Sequence, residues 1–485
     1  MSDEARGAAP LLRKVARETL SFGTFQVLSQ ILTWGAGFLL ARLLSPTDYG
    51  VFDICVSFVQ IGVLFGDAGL GVALVRKAEE PTDEEYSSVF VVNMAAGLVL
   101  ALVFMTAAPL LIAAYKIEHP MARWVLMLLG PTYLLSAGRT YPMLRLERQL
   151  EFGKIARIEL AVTLTRHVGA IALGLLKAGV MALVLSNVGS LVLGLVLTFA
   201  LMPGLPPLRF RWGAFRPLLA FGLTVQALTI TAFFKDNLSN LLLGALLGPE
   251  AVGMFNRGLA YVGIPMLIVN GLARIQLPTY ARLQDDPEGL YLALRGALRL
   301  CFLTGVPLVV VFSCGYEALI PLFYGTKWLA AGPVAQAVAF NMIGGLAAGP
   351  YFTMLQAKGQ AGIALRTFVV WTLATWALAV AAQRAGLGLV GVAGAYSVAT
   401  VAVTLFLHQL VRPWIARSVT PALASPLFAG AMAVGAHLLV RWAMPHAPVV
   451  LGVAVPLVTY VGALMLVEGR KVLGEARALV KAARA

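Results

Sequence analysis

The chain has 485 residues, of which 59% are hydrophobic and only 12% charged, against roughly 25% charged in an ordinary soluble domain. That balance excludes a water-soluble core and predicts an all-α polytopic membrane protein. The net charge of +14 does not call for nucleic acid, because Lys and Arg gather in short loops and no basic stripe carries interleaved aromatics.

Residues 1–18 are polar, carry Arg6, Arg13, Lys14 and Arg17, and have no small-residue cleavage site, so the first span is expected to remain as an uncleaved anchor. Windows of about twenty residues then predict roughly fourteen spans. They run 20–44, 51–75, 88–114, 121–138, 158–176, 180–201, 217–248, 251–273, 300–322, 331–354, 367–383, 388–411, 422–441 and 449–467. Only Lys177-Ala178-Gly179 separates the fifth from the sixth. The seventh is about 32 residues long and must tilt, bend or extend beyond the bilayer. An amphipathic helix near 143–158 is the largest expected insertion, so no soluble catalytic domain is present and the chain does not read as an enzyme. With the N-terminus inside, cytoplasmic segments hold about 27 of the 37 Lys and Arg residues and the other face about seven. Both termini are therefore expected in the cytoplasm. Cys55, Cys301 and Cys314 lie in apolar runs without disulfide or metal-ligand spacing and read as small buried residues.

A repeat organises these spans. Phe22-Gly23-Thr24-Phe25-Gln26 leads through an apolar stretch to Leu43-Leu44-Ser45-Pro46-Thr47-Asp48-Tyr49-Gly50. Phe221-Gly222-Leu223-Thr224-Val225-Gln226 leads likewise to Leu246-Leu247-Gly248-Pro249-Glu250-Ala251-Val252-Gly253. Each half holds an even number of spans, so both copies enter the membrane from one side, as parallel repeats do. The expected organisation is a cytoplasmic segment and six-helix lobe over 1–202, a linker and second six-helix lobe over 203–411, and two extra helices with a basic tail over 412–485. Pro203-Gly204-Leu205-Pro206-Pro207 reads as the start of the linker.

The stretch LLARLLSPTDYGVFDICVSFVQIGVLFGDAGLGVALVRK (39–77) resembles the opening signature of Wzx-type bacterial polysaccharide flippases. LRLERQLEFGKIARIEL (144–160) and LPTYARLQDDPEGLYLALRGALRL (277–300) are similar to further loops of that family. The family belongs to a superfamily that also holds multidrug exporters and lipid II flippases. The resemblance implies movement of an undecaprenyl-diphosphate-linked oligosaccharide from the cytoplasmic to the periplasmic leaflet by alternating access. It places the chain in the bacterial inner membrane, in surface polysaccharide biosynthesis. Implied partners are the lipid-linked substrate, membrane lipids, and a polysaccharide polymerase with its chain-length machinery. The chain is expected to work as a monomer without a cofactor, with proton or sodium coupling as in some superfamily members. Two rivals remain. A drug antiporter of the same fold often keeps an acid in its first span, which 20–44 lacks. A membrane glycan polymerase or ligase needs larger outer loops.

Ionisable groups inside spans cost about 2.5–3.5 kcal/mol each on insertion scales, so each needs a reason. Arg166 lies in span five, Lys235 and Asp236 in the middle of span seven, and Arg257 early in span eight. For a diphosphate ligand, Arg166, Lys235 and Arg257 are the candidate cations. Each also has a plainer reading, such as local pairing or snorkelling to an interface. Asp236 is the candidate for ion coupling, although no acid in span eleven completes a sodium site. Gln26 and Gln30 share a face of span one, Gln226 is the repeat partner of Gln26, and Asn237 and Asn240 share a face of span seven. Together they suit a sugar-binding cavity, and singly each could serve helix–helix bonding. His167 and His408 have no metal-ligand companions and read as packed or interfacial.

Overall fold

The computed structural model describes residues 25 and 28–469, apart from 67–69, 72–73, 75–76, 78, 150, 203, 205, 207, 264, 267–275 and 278. The side chains of 64–66, 220–239 and 361 also lie outside the description. The described residues form helices and turns without a strand, and 9 of the helices are long and apolar enough to cross a membrane. The chain is a multi-pass membrane protein. Its contacts divide it into two compact units, Met1–Gly253 and Met254–Ala485.

The first unit contains α1 (28–43), α2 (Pro46–Gly66), α3 (Asp83–Ala114), α4 (Ala122–Leu129), α5 (Thr132–Arg148), α6 (Phe152–Leu175), α7 (Val180–Leu201) and most of α8 (Trp212–Val262). Local chemistry sets the boundaries. Ser45 caps α2: its Oγ accepts from Asp48 N–H at 3.1 Å, the Asp48 carboxylate accepts from Ser45 N–H at 3.0 Å, and Pro46 fills the first helical position. Thr82 and Glu85 form the same reciprocal box at the start of α3. In the second repeat copy no side chain takes the place of Ser45. Gly248 sits there at φ 81°, outside helical geometry, and breaks α8 just before Pro249. This break marks the expected boundary between the seventh and eighth spans.

The two copies of the turn lie against each other. A Cβ on Gly50 would fall 1.7 Å from the Pro249 carbonyl oxygen, and a Cβ on Gly253 would fall 2.1 Å from that of Pro46. Each glycine thus admits the other copy's proline carbonyl at the same position of the repeat.

Three expectations about element bounds change. The helix expected over 143–158 is not one element: α5 ends at Arg148 and α6 begins at Phe152. Hydropathy truncated the fourth span at 138, but the helix carries on to Arg148 because a polar turn need not end a helix. Span nine likewise starts at Pro287 rather than 300, since Asp286 caps it by accepting from Glu288 and Gly289 N–H groups. The linker is also held in place. Ser87 Oγ donates to the Arg209 carbonyl, Ser88 Oγ accepts from Arg211 N–H at 3.0 Å, and Glu84 pairs with the Arg211 guanidinium at 2.7 Å.

The second unit is α9 (Pro287–Cys314), α10 (Tyr316–Phe323), a 3-10 turn (Thr326–Ala331), α11 (Gly332–Ala357), α12 (Ala361–Arg384), α13 (Gly388–Val411), α14 (Thr420–Ala443) and α15 (Leu451–Glu468). Leu290, Leu294, Leu298, Cys301 and Phe302 recur at three- and four-residue spacing on α9 and are buried in one cluster with Leu346, Tyr351, Leu407 and Tyr460. Small residues bring helices together, with Gly344 beside Thr400 and Gly430 beside Val306. The last helix pair is fixed at both ends. Arg299 of α9 pairs with Glu468 at the end of α15 (Nη1–Oε1 2.7 Å), and Arg441 of α14 pairs with Glu317 of α10 at 2.9 Å.

Candidate functional site

On α6 the exposed apolar side chains Leu164, Val168 and Leu175 form one stripe, the face that meets lipid. Arg166 is also exposed, yet it projects about 200° around the helix from both Leu164 and Val168. Arg166 is thus an exposed cation on the side of α6 away from that apolar stripe. Glu159 and Thr163 share the Arg166 side, at i−7 and i−3. With α6 beginning at Phe152, Arg166 is about 21 Å along a helix of roughly 36 Å, close to mid-membrane.

α1 brings a second polar face to the same place. Leu28 and Leu39 are exposed on its lipid side, whereas Gln30 and Thr33 lie one turn apart on the far side. Thr33 Oγ1 stands 3.1 Å from His167 Nε2, joining the two polar faces. His167 is half-buried on α6 and meets α1 through this contact. From α5, Arg139 Nη2 donates to Glu159 Oε1 at 2.7 Å. The charges nearest Arg166 are those of Glu159 and Arg139, and among the described residues no hydrogen bond or ion pair reaches the Arg166 side chain. The cluster carries two cations and one anion. Its excess positive charge, beside neutral hydrogen-bonding groups, suits an anionic and polyhydroxylated ligand.

Arg139 and Glu159 were missing from the sequence-derived site. Arg139 follows a span as hydropathy draws it and so reads as a loop cation, but α5 keeps it inside a helix. Glu159 could have been found from its seven-residue spacing to Arg166. The same helix α5 also lines a separate, small and mainly apolar recess of about 80 Å³ with Val63, Asn93, Leu100, Tyr133 and Thr140.

The other candidates divide. Asn240 Nδ2 donates to Ser57 Oγ at 3.2 Å, tying α8 to α2. Arg257 is half-buried in the second unit with Tyr324 among its electrostatic neighbours. His408 Nδ1 lies 3.0 Å from the Tyr351 hydroxyl. The side chains of Gln226, Lys235, Asp236 and Asn237, and the whole of Gln26, lie outside the described residues.

The family described as polysaccharide biosynthesis protein matches residues 39–333, more than half of the sequence. The chain belongs to this family. It is 24% identical over 331 residues to the teichuronic acid biosynthesis protein TuaB of Bacillus subtilis (strain 168), covering 67% of this chain and 68% of that one. It is 23% identical over 381 residues to the lipopolysaccharide biosynthesis protein WzxC of Escherichia coli (strain K12), covering 76% of each. Its fold is that of the lipid II flippase MurJ in an inward closed conformation, with a TM-score of 0.70 at 14% identity over 93% of this chain and 99% of the other. An inward-facing multidrug resistance MATE family transporter of the MOP superfamily matches with a TM-score of 0.61 at 14% identity, over 80% of this chain and 95% of that one. This polysaccharide biosynthesis protein thus has the architecture of membrane transporters.

Proposed function

We propose that this protein flips an undecaprenyl-diphosphate-linked oligosaccharide from the cytoplasmic to the periplasmic leaflet of a bacterial inner membrane, by alternating access, for surface polysaccharide assembly. Both termini are cytoplasmic in this reading, and the chain is a transporter without enzymatic activity. The observation that carries it is the exposed Arg166 on the side of α6 opposite the lipid stripe, with Gln30, Thr33 and His167 beside it. A guanidinium at membrane depth is costly unless an anion uses it, and a diphosphate offers several charged acceptor oxygens. The neutral polar groups supply hydrogen bonds for sugar hydroxyls. Lys235 and Arg257 are the further cations of this proposal, and Asp236 is the residue for coupling to protons or sodium. The test is export of the surface polysaccharide in a deletion strain. Arg166→Gln should abolish most export at normal membrane abundance, and Arg166→Lys should keep part of it. Full export by Arg166→Gln would reject the site.

A further inference from the structure

The Arg139–Glu159 pair is lopsided in a way that suits exchange. Arg139 is the buried partner, with its side chain 13% exposed, while Glu159 is 45% exposed and sits beside the open polar face. The cation is seated: Gly194 of α7 leaves a notch in which its guanidinium lies, and a Cβ there would come within 3.1 Å of Cζ and Nη1. It is also incompletely used. Among the described residues Glu159 takes a single hydrogen bond through Nη2, and the buried Nε–H of Arg139 has no acceptor. A guanidinium can offer parallel N–H donors to one anion, which this carboxylate does not accept. Glu159 and Arg166 are about 10 Å apart along one helix face, so an anion lodged between α5 and α6 on this side meets both cations.

We propose that Arg139 is a second anion-binding cation of this site and that Glu159 is its resident counter-anion, displaced when a diphosphate arrives. The inference rests on the flippase reading and adds to it a built-in competitor. Glu159 positions the Arg139 guanidinium and neutralises it in the empty protein. It yields Arg139 to the substrate head group by swinging toward the open side, and reclaims it on release. No bond is made or broken other than hydrogen bonds. A competitor of this kind limits affinity and so favours release, which a transporter needs as much as capture.

The substitution that separates this from a structural tie is Glu159→Gln. An amide oxygen still accepts from Nη2, so the α5–α6 contact persists, while the competing charge is gone. The experiment uses the full chain in nanodiscs of zwitterionic lipid, titrated calorimetrically with geranyl diphosphate at fixed ionic strength. Glu159→Gln should bind about tenfold more tightly than wild type, and Arg139→Gln about tenfold more weakly. The double variant should show no gain over Arg139→Gln, because the competitor has nothing left to occupy. In cells Glu159→Gln should export more slowly despite its tighter binding, a split that a merely structural residue would not give. A parallel titration in discs containing phosphatidylglycerol identifies the ligand. If that lipid erases the Glu159→Gln gain, the anion is a phospholipid head group and the proposal is overturned. Unchanged or weaker binding by a folded Glu159→Gln, or undiminished binding by Arg139→Gln, would overturn it too. In either case normal export by the wild type, lost in Arg166→Gln, would leave the flippase reading standing.

Discussion

Gly50 and Gly253 offer the sharpest test of the repeat. In Gly50→Ala the new methyl would lie 1.7 Å from the Pro249 carbonyl oxygen, 2.4 Å from its carbon and 3.0 Å from its Cα. All three are backbone atoms, so no side chain can rotate away. One helix must retreat by roughly 1.7 Å before an ordinary contact near 3.4 Å is restored. In Gly253→Ala the clash is with the Pro46 carbonyl oxygen at 2.1 Å, and the retreat needed is smaller by a few tenths of an ångström. Overpacking of this size costs about 1–3 kcal/mol. That energy is charged only to the state in which the turns touch. At about 1.4 kcal/mol per factor of ten, it depopulates this state roughly 5- to 150-fold relative to any state in which they separate. The assay is maleimide labelling of a single cysteine replacing Thr47, in membranes, with and without Gly50→Ala. Labelling should rise in Gly50→Ala and, less strongly, in Gly253→Ala. Equal labelling and equal thermal stability in both variants would refute the crossing of the two turns.

The two clamps on the last helix pair should differ in worth. Glu468→Ala removes the carboxylate from a pair whose side chains are each 15% exposed; Arg299 keeps Ser425 Oγ at 3.0 Å, and the loss should still cost about 3 kcal/mol in thermal unfolding in detergent. Glu317→Ala breaks a pair whose side chains are 35% and 32% exposed, and should cost about 0–1 kcal/mol. Serine 87 holds the linker at Arg209 across 122 residues, so Ser87→Ala should speed proteolytic nicking within 203–211 by several-fold while leaving the mass of the protein in the membrane unchanged. Reporter fusions after residues 80, 150, 290 and 475 should all read as cytoplasmic, given the bias of Lys and Arg between loops.

Much of the fold can be read from the chain because membrane spans write their length directly into composition. The sixth and twelfth expected spans, 180–201 and 388–411, coincide with α7 and α13, each bounded by a positive-φ glycine, Gly179 and Gly388. The misses share one cause. Hydropathy measures where lipid is, whereas helices end where backbone groups find other partners, so α5 and α9 run on through Arg145 and Arg295 into the polar layer. The site was half legible for the same reason. Arg166 stands out because it interrupts an apolar run. Arg139 does not, and its role depends on the Gly194 notch of a helix more than fifty positions away, a pairing that no spacing along one chain discloses.

The duplicated turn has not stayed equivalent. Ser45 and Asp48 brace the first copy with mutual hydrogen bonds, and His119 Nε2 adds a third group 3.5 Å from the Asp48 carboxylate. The second copy has a bare glycine at the matching place, and α8 bends there without a side chain to resist it. One corner is therefore stiff and its twin compliant. Any large movement of these helices should concentrate its torsional change at Gly248, so a chain built from two like halves would work asymmetrically, one arm held as the frame and the other flexing.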